Sequence, residues 1–161
     1  MTGGCQCGAV RYRAGVPLAA YGCHCTECQA QSASAFGLSV VVASDTLEVM
    51  GETAAWVRDA GLPSEVTCTF CPRCGTRLHH GRAGAGRVTL KGGSLDARSA
   101  IEPDGHIWLG SALPWVRGTL PPPADPDDHH DGQPPDYPAL IERWAGRGRA
   151  AATLGASWDE T

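Results

Sequence analysis

Seven of the eight cysteines stand in three short clusters, and cysteine at such spacing is first of all a metal ligand. "CQC" offers Cys5 and Cys7, "CHCTEC" offers Cys23, Cys25 and Cys28, and "CPRCG" offers Cys71 and Cys74. A C-x-x-C turn converges two sulfurs, and Gly75 permits the tight backbone that follows. Cys5 and Cys7, at i and i+2, face the same side of an extended strand and can share one ion. Together these two pairs make a four-sulfur tetrahedral centre with zinc–sulfur bonds of about 2.3 Å; free buried thiols or a labile disulfide are the alternatives. A structural zinc of this kind contributes about 10–16 kcal/mol in small peptides, comparable to the stability of a whole domain.

Cys23, Cys25 and Cys28 combine a C-x-C with a C-x-x-C, so three thiolates converge on a second ion and leave one position. Catalytic zinc sites have this form, with three protein ligands and a fourth place for water or substrate. A closed site completed by His24 or by the leftover Cys68 is the rival arrangement. His24 alternates away from its neighbours on a strand, while Cys68 starts a further C-x-x-C with Cys71 and otherwise reads as a buried apolar thiol. A redox dithiol at "CTEC" is a third reading, but no thioredoxin-like βαβ pattern accompanies it.

The elements that must hold these sulfurs are short strands. "AVRYRA", "LSVVVA", "LEVM", "RVTLKG" and "HIWLGSALPWV" have strand length and β-branched or aromatic content. "DAGLPSE", "HHGRAGAGR" and "EPDGH" carry the Gly, Pro and Asp of turns. A turn or two of helix is expected around "TECQAQSA". With 21 glycines, 12 prolines and 6% aromatic residues, the expected fold is mainly β, with antiparallel sheets. After Leu120, "PPPADPDDHHDGQPPDY" has too little apolar surface to fold alone and reads as an extended, solvated acidic arm, in which His129 and His130 are weak metal candidates. "YPALIERWAG" spaces Leu140, Ile141 and Trp144 as an amphipathic helix that docks back, and the remainder to Thr161 reads as frayed. The domain reading is therefore a zinc-binding domain over 1–120 and a Pro/Asp-rich arm with a short helix over 121–161.

A formal charge of −4, a pI of about 5.8 and the lack of a basic cluster argue against nucleic acid as a partner. Lys91 is the single lysine, so an anionic ligand would be met by arginines such as Arg11, Arg58, Arg73, Arg77 or Arg98. No stretch approaches the roughly 18 apolar residues of a membrane span, and no basic, then apolar, leader begins the chain. The expectation is a soluble, cytoplasmic protein whose reducing compartment favours metal ligation over disulfides.

The stretches "GGCQCGAVRY", "CHCTECQAQSASAF", "FCPRCGTRL", "LKGGSLD" and "HIWLGSALPW" resemble, in order, the glutathione-dependent formaldehyde-activating enzymes, which share a domain with centromere protein V. The resemblance runs from residue 3 to about 117. It implies a mainly β, zinc-stapled fold similar to the Mss-type Rab accessory proteins. It also implies two zinc ions per chain, a structural one at Cys5, Cys7, Cys71 and Cys74 and a catalytic one at Cys23, Cys25 and Cys28. The activity it implies is that of a carbon-sulfur lyase joining glutathione or a similar small thiol to formaldehyde or another small aldehyde, or reversing that step. The family commonly has glycine where this chain has Ala33 between Ser32 and Ser34. Ser32, Ser34 and Thr76 are candidate hydrogen-bond donors and Phe36 and Trp108 candidate pocket walls, with turn or core duty as the plainer reading of each.

The open position accommodates either a thiol as its thiolate or an aldehyde oxygen, and the residues are compatible with both routes. The competing function is a non-catalytic zinc-binding or thiol-carrier module, because a fold does not fix a function.

Overall fold

Three consecutive valines, Val40 to Val42, suit an extended backbone buried on both faces, where β-branched side chains pack well. In the computed structural model, which describes residues 1–58 and 65–154, they form the centre of β4 (Gly37–Ala43). This strand lies between β3 (Ala19–Cys23) and β9 (Arg87–Lys91). The sheet continues through β8 (Arg77–Gly81), β7 (Val66–Phe70) and β6 (Ala54–Arg58), and on the other side ends at β10 (Gly105–Ile107). Its seven strands run in the order β10-β3-β4-β9-β8-β7-β6. A second sheet of three antiparallel strands joins β1 (Thr2–Gly4), β2 (Arg11–Arg13) and β5 (Glu48–Met50) in that order.

The two faces of the large sheet bury different clusters, as the period of two requires. Val40, Val42, Leu78 and Leu90 pack with Val10, Tyr12 and Leu95, and the Tyr12 hydroxyl is 2.8 Å from the Ser94 hydroxyl. Ala19, Tyr21, Cys23 and Val41 pack with Cys28, Ile107, Leu140, Ile141 and Trp144 on the opposite face. The helices α1 (Thr26–Ser32), α2 (Pro114–Arg117), α3 (Tyr137–Arg147) and α4 (Arg149–Leu154) follow one another along the chain; Cys28 of α1 and the buried residues of α3 pack on that second face, while Ala150 of α4 packs with the first cluster. Leu140, Ile141 and Trp144 are the buried stripe of α3, so the expected short C-terminal helix is present. Among the described residues no helix is long and apolar enough to cross a membrane.

The sheets are mixed rather than wholly antiparallel: β10 pairs with β3 in parallel, while the other pairs are antiparallel. Residues 92–104, with short 3-10 turns at Gly92–Ser94 and Arg98–Ala100, carry the chain back so that β10 enters in the same sense as β3. The expected strand "HIWLGSALPWV" stops after Ile107. Trp108 adopts a left-handed backbone with φ 62, a 3-10 turn follows at Leu109–Ser111, and Pro114 starts α2. Residues 59–64 of the expected turn "DAGLPSE" and residues 155–161 of the tail expected to fray lie outside the described residues; the earlier part of that tail is not frayed, since α4 forms over Arg149–Leu154 and buries Ala150.

The acidic arm departs from a solvated loop. Asp128 is fully buried, accepting hydrogen bonds from Trp144 Nε1 at 2.8 Å and Arg147 Nη1 at 2.6 Å. Burial alone would raise its pKa, yet these two donors hold it below the ordinary carboxylate value. His129 bridges to His106, and His130 N donates to the His106 carbonyl at 2.9 Å, so the arm lies along the outer edge of β10. A charge that is exposed in the bare sequence becomes buried because α3 brings its two donors to it.

At the end of α1, Ala33 takes a left-handed conformation with φ 47 and ψ 42, and its N–H caps the helix through Ala30 O. A Cβ costs about 1–2 kcal/mol in this region, while glycine gives back about 0.4–1 kcal/mol through the unfolded chain. Ala33 is exposed and loses no packing on truncation. Ala33→Gly is expected to stabilise the fold by roughly 0.5–1 kcal/mol, measured as a higher urea midpoint at unchanged slope; equal or lower stability would refute the strain at this cap.

Candidate metal centres

The four-cysteine group is built on two turns. After β1 the chain turns so that Gly8 N–H donates to the Cys5 carbonyl at 3.1 Å, with Gly8 at φ 76. Cys5 and Cys7 therefore converge through a tight turn and not, as the i, i+2 spacing suggested, along one strand. Val10 N–H donates to Cys5 Sγ at 3.2 Å. Across the site, Cys71 N–H donates to Thr76 O at 3.0 Å and Gly75 N–H to Cys71 O at 2.9 Å, closing the knuckle between β7 and β8. Thr76 Oγ1 joins the halves, accepting from Gln6 N–H at 3.1 Å and lying 3.2 Å from Cys74 Sγ. Hydrogen bonds from the Thr76 hydroxyl and from the Thr76 and Cys7 backbone hold the Cys74 thiol down at about 5.

The sulfurs of Cys5, Cys7, Cys71 and Cys74 all lie within 4.8 Å of one another. The Cys5–Cys7 separation is 3.5 Å and the Cys7–Cys71 separation 3.8 Å. Four sulfurs at zinc–sulfur distances of about 2.3 Å stand roughly 3.8 Å apart, so the group can bind zinc as it stands.

The second group sits where β3 ends and α1 begins. Cys23 is the last residue of β3, locked by Gly37 of β4 on one side and Ile107 of β10 on the other. Cys25 caps α1, its Sγ accepting the Cys28 N–H at 3.3 Å. Cys28 points from the first turn of α1 towards β4, above Gly37: a Cβ there would lie 3.1 Å from Cys28 Cβ and 3.5 Å from its Sγ. Cys23 and Cys25 Sγ are 3.5 Å apart, and all three sulfurs lie within 4.8 Å of one another. The hydrogen bonds from Cys23 and Cys28 push Cys25 well below an ordinary thiol, whereas its thiol bond to Cys25 pushes buried Cys23 up. The sulfur-only donors and their spacing also fit zinc.

Among the described residues, neither His24 nor Cys68 joins this group. Cys68 is buried on β7, and its thiol reaches Gln31 Oε1 on α1 at 4.0 Å. His24 turns the opposite way, with its Nε2 3.0 Å from His106 Nδ1 and its ring 5.1 Å from that of Phe36. Gly22 makes this possible, because a Cβ there would collide with the His106 ring. The His24 carbonyl is held by Gln29 Nε2 at 2.7 Å and the Ser111 hydroxyl at 2.9 Å, which fixes the loop between the ligands. Sequence reading missed Gln29 and His106, whose residue types carry no spacing signal.

The other candidates have local duties. The Ser32 hydroxyl donates to Cys28 O at 2.7 Å and Phe36 O at 3.0 Å, and Ser34 N–H closes on Gln29 O at 3.2 Å. Trp108 packs beside the Tyr21 cluster and donates from Nε1 to Gln133 Oε1 at 3.2 Å. Of the named arginines, Arg11 pairs with Asp96, Arg58 with Glu27, and Arg77 with Gln31.

A family model described as glutathione-dependent formaldehyde-activating enzyme matches residues 1–111. Among solved structures, the crystal structure of a Rhodobacter sphaeroides protein is similar with a TM-score of 0.52 at 20% identity, covering 64% of this chain and 97% of its own. That likeness is one of fold. No curated protein matches the chain.

The buried His24–His106 pair also makes a titration prediction. Burial, then the neighbouring His24 and His129, lowers the His106 pKa to about 4. An imidazole in the unfolded chain takes its proton near 6.5, so between pH 6.5 and about 4 the unfolded state binds a proton that the folded state refuses. Stability is therefore independent of this group above that window and falls as pH drops through it. Long-range nitrogen NMR of the imidazoles should show His106 neutral at pH 6, and a normal titration near 6.5 would contradict its burial.

Proposed function

The chain belongs to the glutathione-dependent formaldehyde-activating enzyme family, and from that premise we propose that it is a zinc-dependent carbon-sulfur lyase adding glutathione or a similar thiol to a small aldehyde, or reversing that addition. The observation that carries this reading is the contrast between the two cysteine groups: one offers four sulfurs, and the other offers three at the junction of a strand and a helix. On this reading Cys5, Cys7, Cys71 and Cys74 hold a structural zinc, and Cys23, Cys25 and Cys28 hold the catalytic one. The enzymatic domain is residues 1–120, with the arm and short helix of 121–161 appended to it.

In the addition, a sulfur–carbon bond forms as the carbonyl π bond opens, and the thiol's proton passes to the carbonyl oxygen. A zinc ion bound at Cys23, Cys25 and Cys28 supplies Lewis acidity and favours the thiolate form of a thiol. The protein's own part is to hold three sulfurs rigidly around one free direction. Cys23 is fixed by strands on both sides, Cys28 by its seat over Gly37, and Cys25 by the N–H of Cys28. Cys25 is the half-exposed member of the group, so approach to the centre is from its side.

A non-catalytic zinc-binding or thiol-carrier module is favoured by a different observation. Two clefts among the described residues, of about 350 and 410 Å³, are lined by residues such as Tyr12 and Met50 or Leu120 and His129, away from the three cysteines. One assay decides between the readings. Protein purified without chelator should carry two zinc ions per chain and accelerate S-(hydroxymethyl)glutathione formation or breakdown. Cys25→Ala and Cys28→Ala should each lose at least about tenfold of that rate, as disturbing a metal's surroundings alone costs about 10–100-fold. Thiol binding with no acceleration over the uncatalysed reaction would favour the carrier.

A further inference from the structure

The chain has twelve arginines and one lysine, and that lysine is in the interior. Lys91 ends β9 with 6% of its surface exposed, and its Nζ has no hydrogen-bond partner among the described residues. A buried ammonium without a partner is costly, so something must offset its charge. Arginine serves at the ion pairs with Asp96, Glu27, Asp131, Asp127, Asp125 and Asp128, which makes the choice of the compact, three-donor ammonium at this one position informative.

The strand registers show where Lys91 sits. Cys23 faces Gly37 across β3 and β4, and two residues further along β4 Ser39 faces Lys91 on β9. Gly37 is the seat of Cys28, so Lys91 is the diagonal neighbour of that seat, a distance a long side chain spans. The Ser39 hydroxyl beside it is buried and likewise without a partner, as is His80 Nδ1 on the next strand. The carboxylate on this side, Glu27 of α1, pairs with Arg58 at 3.5 Å, and Gln31 Oε1 accepts from Arg77 at 3.2 Å. Burial lowers the Lys91 pKa, and the charges that pull it back up are those of Cys28, Cys23 and Cys68. The anionic side chains that act on Lys91 are thus cysteines.

We propose that Lys91 is the counter-charge of the Cys23–Cys25–Cys28 centre, a positioning residue whose ammonium offsets the excess negative charge of three thiolates around a divalent ion. It rests on the reading that these three cysteines hold a metal, and not on the lyase activity. Three thiolates leave such a centre one negative charge in excess, and a buried positive charge on its sheet side neutralises the pair as a unit. The four-cysteine centre is held instead by backbone and Thr76 donors, so it serves as an internal control.

The test is titration of Co²⁺ into reduced, metal-free protein under chelator competition, for wild type and Lys91→Met. Thiolate-bound cobalt absorbs in the visible, and the three-cysteine centre is identified as the one whose band shifts on adding 2-mercaptoethanol. In Lys91→Met that centre should bind Co²⁺ about tenfold or more weakly, the scale of a unit charge several ångströms away at an effective dielectric near 20, while the other centre stays within about twofold. Metal-free Lys91→Met should melt no lower than metal-free wild type, since an unpaired buried ammonium gives way to a side chain of similar volume. Unchanged affinity at the three-cysteine centre, or equal weakening at both centres, overturns the assignment. Two cobalt ions bound in wild type with no effect of the substitution overturns the inference alone; one ion bound in wild type overturns it together with the metal reading.

Discussion

Crowded sulfur is the constraint around which this fold is organised. Thiols 3.5–3.8 Å apart cannot all ionise beside one another, because each thiolate raises the cost of the next. Without a cation the protons must be shared unevenly, as the opposite displacements of Cys23 and Cys25 show. A divalent ion would remove the conflict: in the four-cysteine group it would join segments distant in sequence, the turn after β1 and the knuckle between β7 and β8, and in the other it would clamp the end of β3 to the start of α1, which follow one another along the chain. Such cross-links matter most where strands are short, and several strands here have only three residues.

The large sheet divides its labour between its faces. The Val40, Val42, Leu78 and Leu90 face is apolar and supplies ordinary burial. The opposite face changes character along its width, from Tyr21, Val41 and Trp144 near β3 to Ser39, Lys91, His80 and Cys68 towards β7. The cysteine centre stands where these two regimes meet. Its surroundings are therefore dry on one side and rich in unshared donors on the other, which is how a protein places a strong local field without exposing it to screening.

Sequence alone conveyed the features with short-range causes. C-x-C and C-x-x-C spacings are local geometry, so the grouping of sulfurs could be considered before any fold was known, and the stripe Leu140, Ile141, Trp144 marks α3 by its period. What resisted reading was set by tertiary context. β3, "AAYGC", is buried along its whole length and shows no alternation, so nothing in it announces a strand. The "CQC" segment looks extended until Gly8 turns it, and "HIWLG" looks like a strand until Trp108 takes a left-handed backbone. Asp128 and Lys91 are charged residues of the kind usually placed in solvent, and the elements that bury them are distant in sequence.

Gly37 gives the three-cysteine centre a mechanical property. The residue carries no chemistry, yet any side chain there would press on Cys28 from a Cβ 3.1 Å away from the cysteine's own, so the neighbour would have to yield by a few tenths of an ångström. Metal–ligand distances tolerate about 0.2 Å. The clearance beneath Cys28 and the tolerance of a coordination bond are thus of the same size, and the space above one glycine acts as a gauge for the third sulfur. Position 37 is a place where the centre can be detuned in small steps while every ligand keeps its identity.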